Sequence, residues 1–324
     1  MLEINRFYPD SQTELWDKMV LRANNGTIFH TRKFLSYHPE GRFHDHSLVF
    51  TKKGKPYALF PAAEISVSND TQLLVSHPGA SYGSFVVPAD LSFSDSLNLV
   101  TMLKSYSSAN GFKGIRLTMP PTIYNKRLSN YMDYALLKSG FHYEKREISS
   151  ILFLEKTIKE NLAKFRPSHR QAVRKALRQD VIVEQSGNYS EFYTILKNNL
   201  KIRHGVLPTH TLDELMLLKS LFPEQINLFG AFSNGKMIAG VLNFICNNDV
   251  VLAFYISHDE KYQEIRALNL LFYFIFEWAI ENKFKVFDFG IFTVREEPNM
   301  GLARFKENFG ASGMFRDTFL IQWK

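Results

Sequence analysis

A short apolar strand that stops at a glycine, followed by a loop and a small amphipathic helix, constrains this chain more than any other stretch. It runs Val286-Phe287-Asp288-Phe289-Gly290 and then Asn299-x-Gly301-Leu302-x-x-Phe305-Lys306-x-x-Phe309-Gly310. Leu302, Phe305 and Phe309 fall at i, i+3 and i+7, so they share one helical face. Lys306 stands four residues after Leu302 and three before Phe309, at the edge of that face. Arg304 and Glu307 point away from it, as solvated charges. A lysine at the rim of a core can aim its ammonium into a cleft. There it suits a phosphate, a carboxylate or the oxygen of an acyl group.

Composition bounds what surrounds this element. A chain of 324 residues is long for one core, and two domains are expected. With 45% hydrophobic and 22% charged residues it reads as globular rather than disordered. Its 29 phenylalanines predict a Phe-rich core. The single cysteine, Cys246, lies in an apolar strand and excludes an intramolecular disulfide framework. The first residues, Met1 to Asn5, lack the charged and then apolar pattern of a signal peptide. The longest apolar run, Ala267 to Ile280, contains Asn269 and Glu277 and is too short to span a bilayer. A cytoplasmic protein is therefore expected. The net charge of +7 favours anionic partners: nucleotides, tRNA or another RNA, or peripheral contact with an anionic membrane.

Strands and helices alternate along the chain, which predicts an α/β (α+β) fold with mixed central sheets flanked by helices. Ser47–Lys52 and Tyr57–Ile65 read as strands, joined by a Lys-Gly-Lys turn. Helices are expected between Ser94 and Asn110 and from Arg127 to Ser139, with a strand from Gly114 to Met119 between them. Ile148–Leu154 reads as a further strand. In the second half, Thr211 and Glu214 form a capping box that opens a helix through Leu221. Ile226–Phe232, Met237–Cys246 and Val250–Ser257 form an antiparallel meander, with a Ser-Asn-Gly-Lys turn in its first connection. A helix from Arg266 to Glu281 then precedes the strand, loop and helix described first. A last strand lies near Phe315–Gln322.

The densest basic patch is Ala163–Gln179, where Pro167 suits a first helical turn. Arg170, Arg174 and Arg178 recur every fourth residue, and Lys175 widens that side. Such a side is either a solvated basic face or a phosphate-binding rail. The ten histidines show no metal-ligand spacing, and no metal is expected. No nucleophile elbow and no phosphate loop of the NTPase type is present.

The order of a helix pair, a meander, a helix, a strand, a helix and a strand resembles the GNAT acyltransferase fold. More narrowly, several segments together resemble the FemAB-related acyltransferases. They are the Arg-x-x-x-Arg-Lys helix, His204-Gly205-x-x-Pro208-x-His210, Tyr255, Asp288-Phe289-Gly290 and the Asn299–Gly310 segment, with Thr27-Ile28-Phe29 and Ser81-Tyr82-Gly83 in the first half. The resemblance implies two tandem GNAT-like domains, a degenerate one over 1–155 and a second over 156–324, whose last strand can pack back on the first. It implies no tightly bound cofactor, with acyl-CoA or aminoacyl-tRNA as co-substrate. The acceptor would be a small-molecule or glycan precursor. The matching coenzyme loop, His258 to Ala267, lacks the usual glycines, and Arg266 could supply charge there. No tyrosine follows Tyr273 to protonate a departing thiolate.

The resemblance also distributes roles. Asp288 would act as base, with its pKa raised by partial desolvation, or would hold the following loop in shape. Lys306 would stabilise negative charge on the acyl oxygen, or form a rim salt bridge with Glu296 or Glu297. Arg170, Arg174, Arg178, Tyr255 and Arg266 would hold the donor. Arg203, His204, His210 and Tyr82 would line the acceptor pocket. Three activities follow as expectations. One is acyl-CoA-dependent transfer to an amine of a cell-envelope or polysaccharide precursor. Another is aminoacyl-tRNA-dependent transfer of the peptidoglycan-bridge type. The third is a silent nucleotide- or RNA-binding module.

Overall fold

The computed structural model describes residues 2–68, 71–204 and 206–323, without the side chains of Asp10, Arg203 and His204. The chain divides into two compact units, residues 1–147 with 315–324, and residues 148–314.

The first unit contains β1 (Leu2–Arg6), α1 (Pro9–Arg22), α2 (Arg32–Leu35), β2 (His44–Asp45), β3 (Leu48–Lys52), β4 (Lys55–Phe60), β5 (Ala63–Ser68) and β6 (Thr71–Ser76). It continues with α3 (Phe93–Ala109), β7 (Gly114–Thr118), α4 (Tyr131–Lys138) and the first half of β8 (His142–Phe153). β1, β3 and β4 form a small antiparallel sheet. The unit's other strands run in the order β2-β5-β6-β7-β16, where β16 is Ser312–Gln322. Here β6 and β7 are parallel and joined through α3.

Two expectations change here, each for a local reason. The single strand expected over Tyr57–Ile65 is two strands, β4 and β5, that pair with different neighbours. Pro61 lies at the break and has no N–H for a ladder. The helix expected from Arg127 starts only at Tyr131. The Asn24 side chain holds the Arg127 backbone in the preceding loop, accepting from its N–H and donating to its C=O.

The second unit contains α5 (Ile158–Lys164), α6 (Pro167–Leu177), β9 (Ile182–Gln185), α7 (Tyr189–His204), α8 (Leu212–Leu221), β10 (Ile226–Ser233), β11 (Lys236–Ile245) and β12 (Val250–His258). α9 (Ala267–Glu281), β13 (Val286–Ile291), the short pair β14 (Thr293–Val294) and β15 (Glu297–Pro298), and α10 (Met300–Glu307) follow. Its sheet has the order β8-β13-β12-β11-β10-β9. The meander and the Thr211–Glu214 capping box form as the sequence predicts. Asn234 and Gly235 at the first turn of the meander both take positive φ, as a two-residue hairpin turn requires. Against one face of the sheet packs a core of Phe272 and Phe276 from α9, Phe287 and Phe289 from β13, and Phe309. Fully burying each such ring contributes roughly 1.5–3 kcal/mol. Cys246 is buried.

Candidate active site

β12 and β13 are parallel and pair at only three positions, Val250↔Val286, Val251↔Phe287 and Leu252↔Asp288. β12 then continues to His258 and β13 to Ile291 without further pairing between them. The two strands therefore part, and the conspicuous polar side chains of this unit gather around the parting.

On the β13 side everything converges on Gly290. Its φ is +73°, a left-handed conformation, while a Cβ would meet nothing closer than 3.8 Å. Conformation, not space, thus requires the glycine. Asp288 is fully buried, and its Oδ1 accepts from Ser149 Oγ at 2.5 Å and from the Gly290 N–H at 2.7 Å. This is the loop-shaping arrangement foreseen as one of its two roles. The Gly290 carbonyl is held in turn by Lys306, whose Nζ donates to Gly290 O at 2.7 Å and to Ile291 O at 2.8 Å.

Lys306 differs from its expected place at a rim. Asn299 caps α10 by accepting from the Leu302 N–H, and the helix buries Ala303 and Lys306 while Leu302 and Phe305 are only half-buried. The lysine is 2% exposed, and it bonds two carbonyls rather than the Glu296 or Glu297 carboxylate. Burial pushes its ammonium down to about 7, against the opposing pull of Asp288.

On the β12 side Tyr255 meets His210. The phenol oxygen lies 3.0 Å from His210 Nδ1 and accepts from the His210 N–H at 3.3 Å. The Tyr193 hydroxyl donates to the His210 carbonyl at 3.1 Å. Burial raises the Tyr255 phenol above its ordinary pKa. Tyr255 therefore belongs with an expected acceptor residue, apart from the arginines. The Arg203 and His204 side chains lie outside the described residues. Tyr82 belongs to the core of the first unit, edge-on to Phe29 and Tyr124.

A basic cleft of about 780 Å³ opens between α6 and the start of α9. Arg174, Lys175, Arg178 and Arg266 line it with Ser168 and Gln171. Lys175 reaches Glu264 at 3.8 Å. Among the described residues, Arg174, Arg178 and Arg266 pair with no carboxylate. Arg170 is not part of this lining, and its guanidinium donates to the Ala163 carbonyl. Arg266 is the N-cap of α9, in the left-handed region at φ 63°, and no side chain caps the helix. A helix N-terminus carries partial positive charge and unpaired N–H groups.

Two residues that the sequence reading passed over belong to this end of α9. Asn269, in its first turn, is 6% exposed, and its Nδ2 has no hydrogen-bond partner. His169 of α6 packs on Phe309 at 4.8 Å, with its Nε2 buried and unpartnered. Burial and then the Arg266 charge push His169 down to about 4, so it is neutral. The signal for Asn269 was present as a lone amide in an apolar run. Nothing local marks His169. Among the described residues no group of three or more His, Cys, Asp or Glu could hold a metal ion.

The sequence profile of the acetyltransferase (GNAT) domain matches residues 163–307. The whole chain is similar to the crystal structure of FemX, with a TM-score of 0.76 and 14% identity over 99% of this chain and 97% of that one. It is also similar to a tandem GNAT protein from the clavulanic acid biosynthesis pathway, with a TM-score of 0.60 and 10% identity over 99% and 98% of the two chains. A third likeness is to the C-terminal domain of a putative lysylphosphatidylglycerol synthetase from Agrobacterium fabrum, with a TM-score of 0.61 and 10% identity over 97% and 92%. Sequence comparison with curated proteins finds no match.

Proposed function

We propose, from the match of residues 163–307 to the GNAT acetyltransferase profile and the likeness of the whole fold to FemX and to a tandem GNAT protein, that this protein transfers an acyl group from a phosphate-bearing activated donor to an amine. Acyl-CoA is the favoured donor. An amine of a cell-envelope or polysaccharide precursor is the favoured acceptor. The observation that carries this reading is the uncapped start of α9, where Arg266 lines the basic cleft and Asn269, three residues on, has an unpartnered Nδ2. A phosphate there would meet helix N–H groups, an amide and guanidinium charge together.

The donor's acyl carbon would lie where β12 and β13 part. The acceptor amine attacks that carbon, and the carbonyl oxygen becomes an oxyanion. In its charged form Lys306 has three N–H bonds, two of them engaged with Gly290 and Ile291. The third would stabilise the oxyanion. The carbon–sulfur bond then breaks. The proton lost by the amine and the proton gained by the thiolate would pass through the Tyr255–His210 pair, in place of a tyrosine beyond Tyr273. Asp288 would act through Gly290 and Lys306, as a positioning residue.

The breadth of the α6 cleft favours a second reading, with aminoacyl-tRNA as donor, because its cations extend along the helix face. Titration with CoA and with bulk tRNA at low and high salt separates the two, followed by turnover with an amine acceptor. Saturable CoA binding with acetyl transfer is the expected result. Steeply salt-dependent tRNA binding without CoA binding would give the donor to the second reading. Binding of either without turnover would leave only a binding module.

A further inference from the structure

In the first unit α4 turns an apolar side outward, and acyl transfer makes no use of it. The helix buries Met132, Ala135 and Leu136 in the core. Its other side carries Tyr131, Tyr134 and Leu137, all exposed. The outward side of a surface helix is ordinarily polar. Phe93, exposed at the start of α3, sets its ring 5.4 Å from those of Tyr131 and Tyr134. Leu128, just before α4, is 73% exposed. Rings exposed in contact with one another form a patch, unlike apolar side chains scattered singly.

The charge around this patch has one sign. Across residues 92–110 and 126–140 no exposed side chain is acidic. Asp95 is buried and paired with Lys52, and Asp133 is half-buried. The exposed acid nearest in sequence is Asp90, before the cap of α3. Beyond Phe93 the exposed side of α3 is neutral, with Ser94, Asn98, Thr101 and Ser105. Arg127 and Lys138 are exposed at the two ends of the α4 segment. The Arg127 guanidinium donates to the Ala89 carbonyl at 3.5 Å, which leaves its charge unneutralised. Among the described residues, neither cation pairs with a carboxylate.

We propose that this face rests on an anionic lipid bilayer. Phe93, Leu128 and Leu137 would enter the acyl boundary, and the two tyrosine hydroxyls would stay at headgroup level, where amphipathic rings settle. Arg127 and Lys138 would meet lipid phosphates. A second copy of the chain fits less well, because a two-fold contact sets the patch against itself and brings like charges together. The proposal does not rest on acyl transfer.

The test floats the full chain with vesicles of phosphatidylcholine alone and of phosphatidylcholine with equimolar phosphatidylglycerol. Binding to the anionic vesicles is expected to be at least about tenfold stronger, and to fall as salt rises. Tyr134→Ser with Leu137→Ser, checked by melting temperature, should weaken that binding about tenfold or more. Arg127→Gln with Lys138→Gln should weaken it about tenfold. Equal binding to both vesicles, binding to neither, or unchanged binding by the folded variants would overturn the proposal. A dimer in sedimentation that Tyr134→Ser with Leu137→Ser dissolves would also overturn it, by giving the face to a second copy. Should that pair not fold, the charge pair decides by the same criterion.

Discussion

Each unit contains a strand, a helix and a parallel strand in succession, β6-α3-β7 in the first and β12-α9-β13 in the second, and the two helices begin in opposite ways. α3 is capped by Ser92, and its third residue, Asp95, places a carboxylate at the helix N-terminus. Lys52, Tyr57 and Ser92 all bind that carboxylate, at 2.6, 2.9 and 2.8 Å. Desolvation would raise the Asp95 pKa, but these donors overcome it and hold the carboxyl below its ordinary range. α9 is capped by no side chain, and its third residue is the neutral Asn269. The strands differ to match. β6 pairs with β7 up to its last residue, and the loop beyond returns so that Gly83 N–H donates to Thr118 O. β12 and β13 part after three pairs. One helix has its anion built in, and the other has no side-chain cap of its own.

The largest expected effect tests whether the parted strands do chemistry. Lys306→Ala should lower the transfer rate about a hundredfold or more, with folding checked by circular dichroism. Survival within about threefold would remove Lys306 from the reaction. Next, Asn269→Asp gives α9 the built-in carboxylate of α3. CoA binding by calorimetry should weaken about tenfold or more, with folding checked by circular dichroism, because the new carboxylate would repel the donor phosphate. Unweakened binding would separate the donor site from α9.

The reciprocal change, Asp95→Asn, deprives Lys52 and Tyr57 of a charged acceptor. It should cost about 1–3 kcal/mol in denaturant melts at neutral pH, with the transfer rate per folded molecule unchanged. The Asp95 carboxyl is depressed in the folded state, so its stabilisation is present above the ordinary carboxyl pKa. It is lost as pH falls through the lowered value, and wild type and variant should converge in acid. A difference that grew toward acid would contradict the pairing. The smallest effect is Arg266→Gly. Relief of the left-handed conformation should stabilise by roughly 1 kcal/mol. Loss of one cation should reduce the slope of donor affinity against salt by about one contact.

Much of the second unit was legible because its signals are local. The Thr211–Glu214 box and the Asn-Gly turn each act within a few residues. The single strand drawn across Pro61 failed because hydrophobic pattern outweighed the missing N–H. The late start of α4 could not be foreseen, since its cause, Asn24, lies 103 residues away. The site shows the same division. Helical periodicity correctly turned Arg304 and Glu307 outward, yet it put Lys306 at a rim. What draws it inward is a pair of carbonyls on strand β13, a tertiary partner with no sequence signature. The meeting of Tyr255 with His210, 45 residues apart, is hidden for the same reason. Arg170, in step with Arg174 and Arg178, departs from them because Ala163 offers it a carbonyl.

The buried lysine that grips Gly290 also makes folding of the second unit a proton-coupled event. An unfolded chain keeps its proton on Lys306 up to the ordinary value of 10.5, and the folded one releases it at about 7. Between those limits unfolding takes a proton up from solvent, so this residue makes the unit more stable as pH rises, by up to about 1.4 kcal/mol per pH unit. The charged form that the oxyanion would need is the form that the fold dehydrates at a cost. A preparation kept mildly alkaline for storage would hold its structure best in the protonation state least suited to the proposed oxyanion contact.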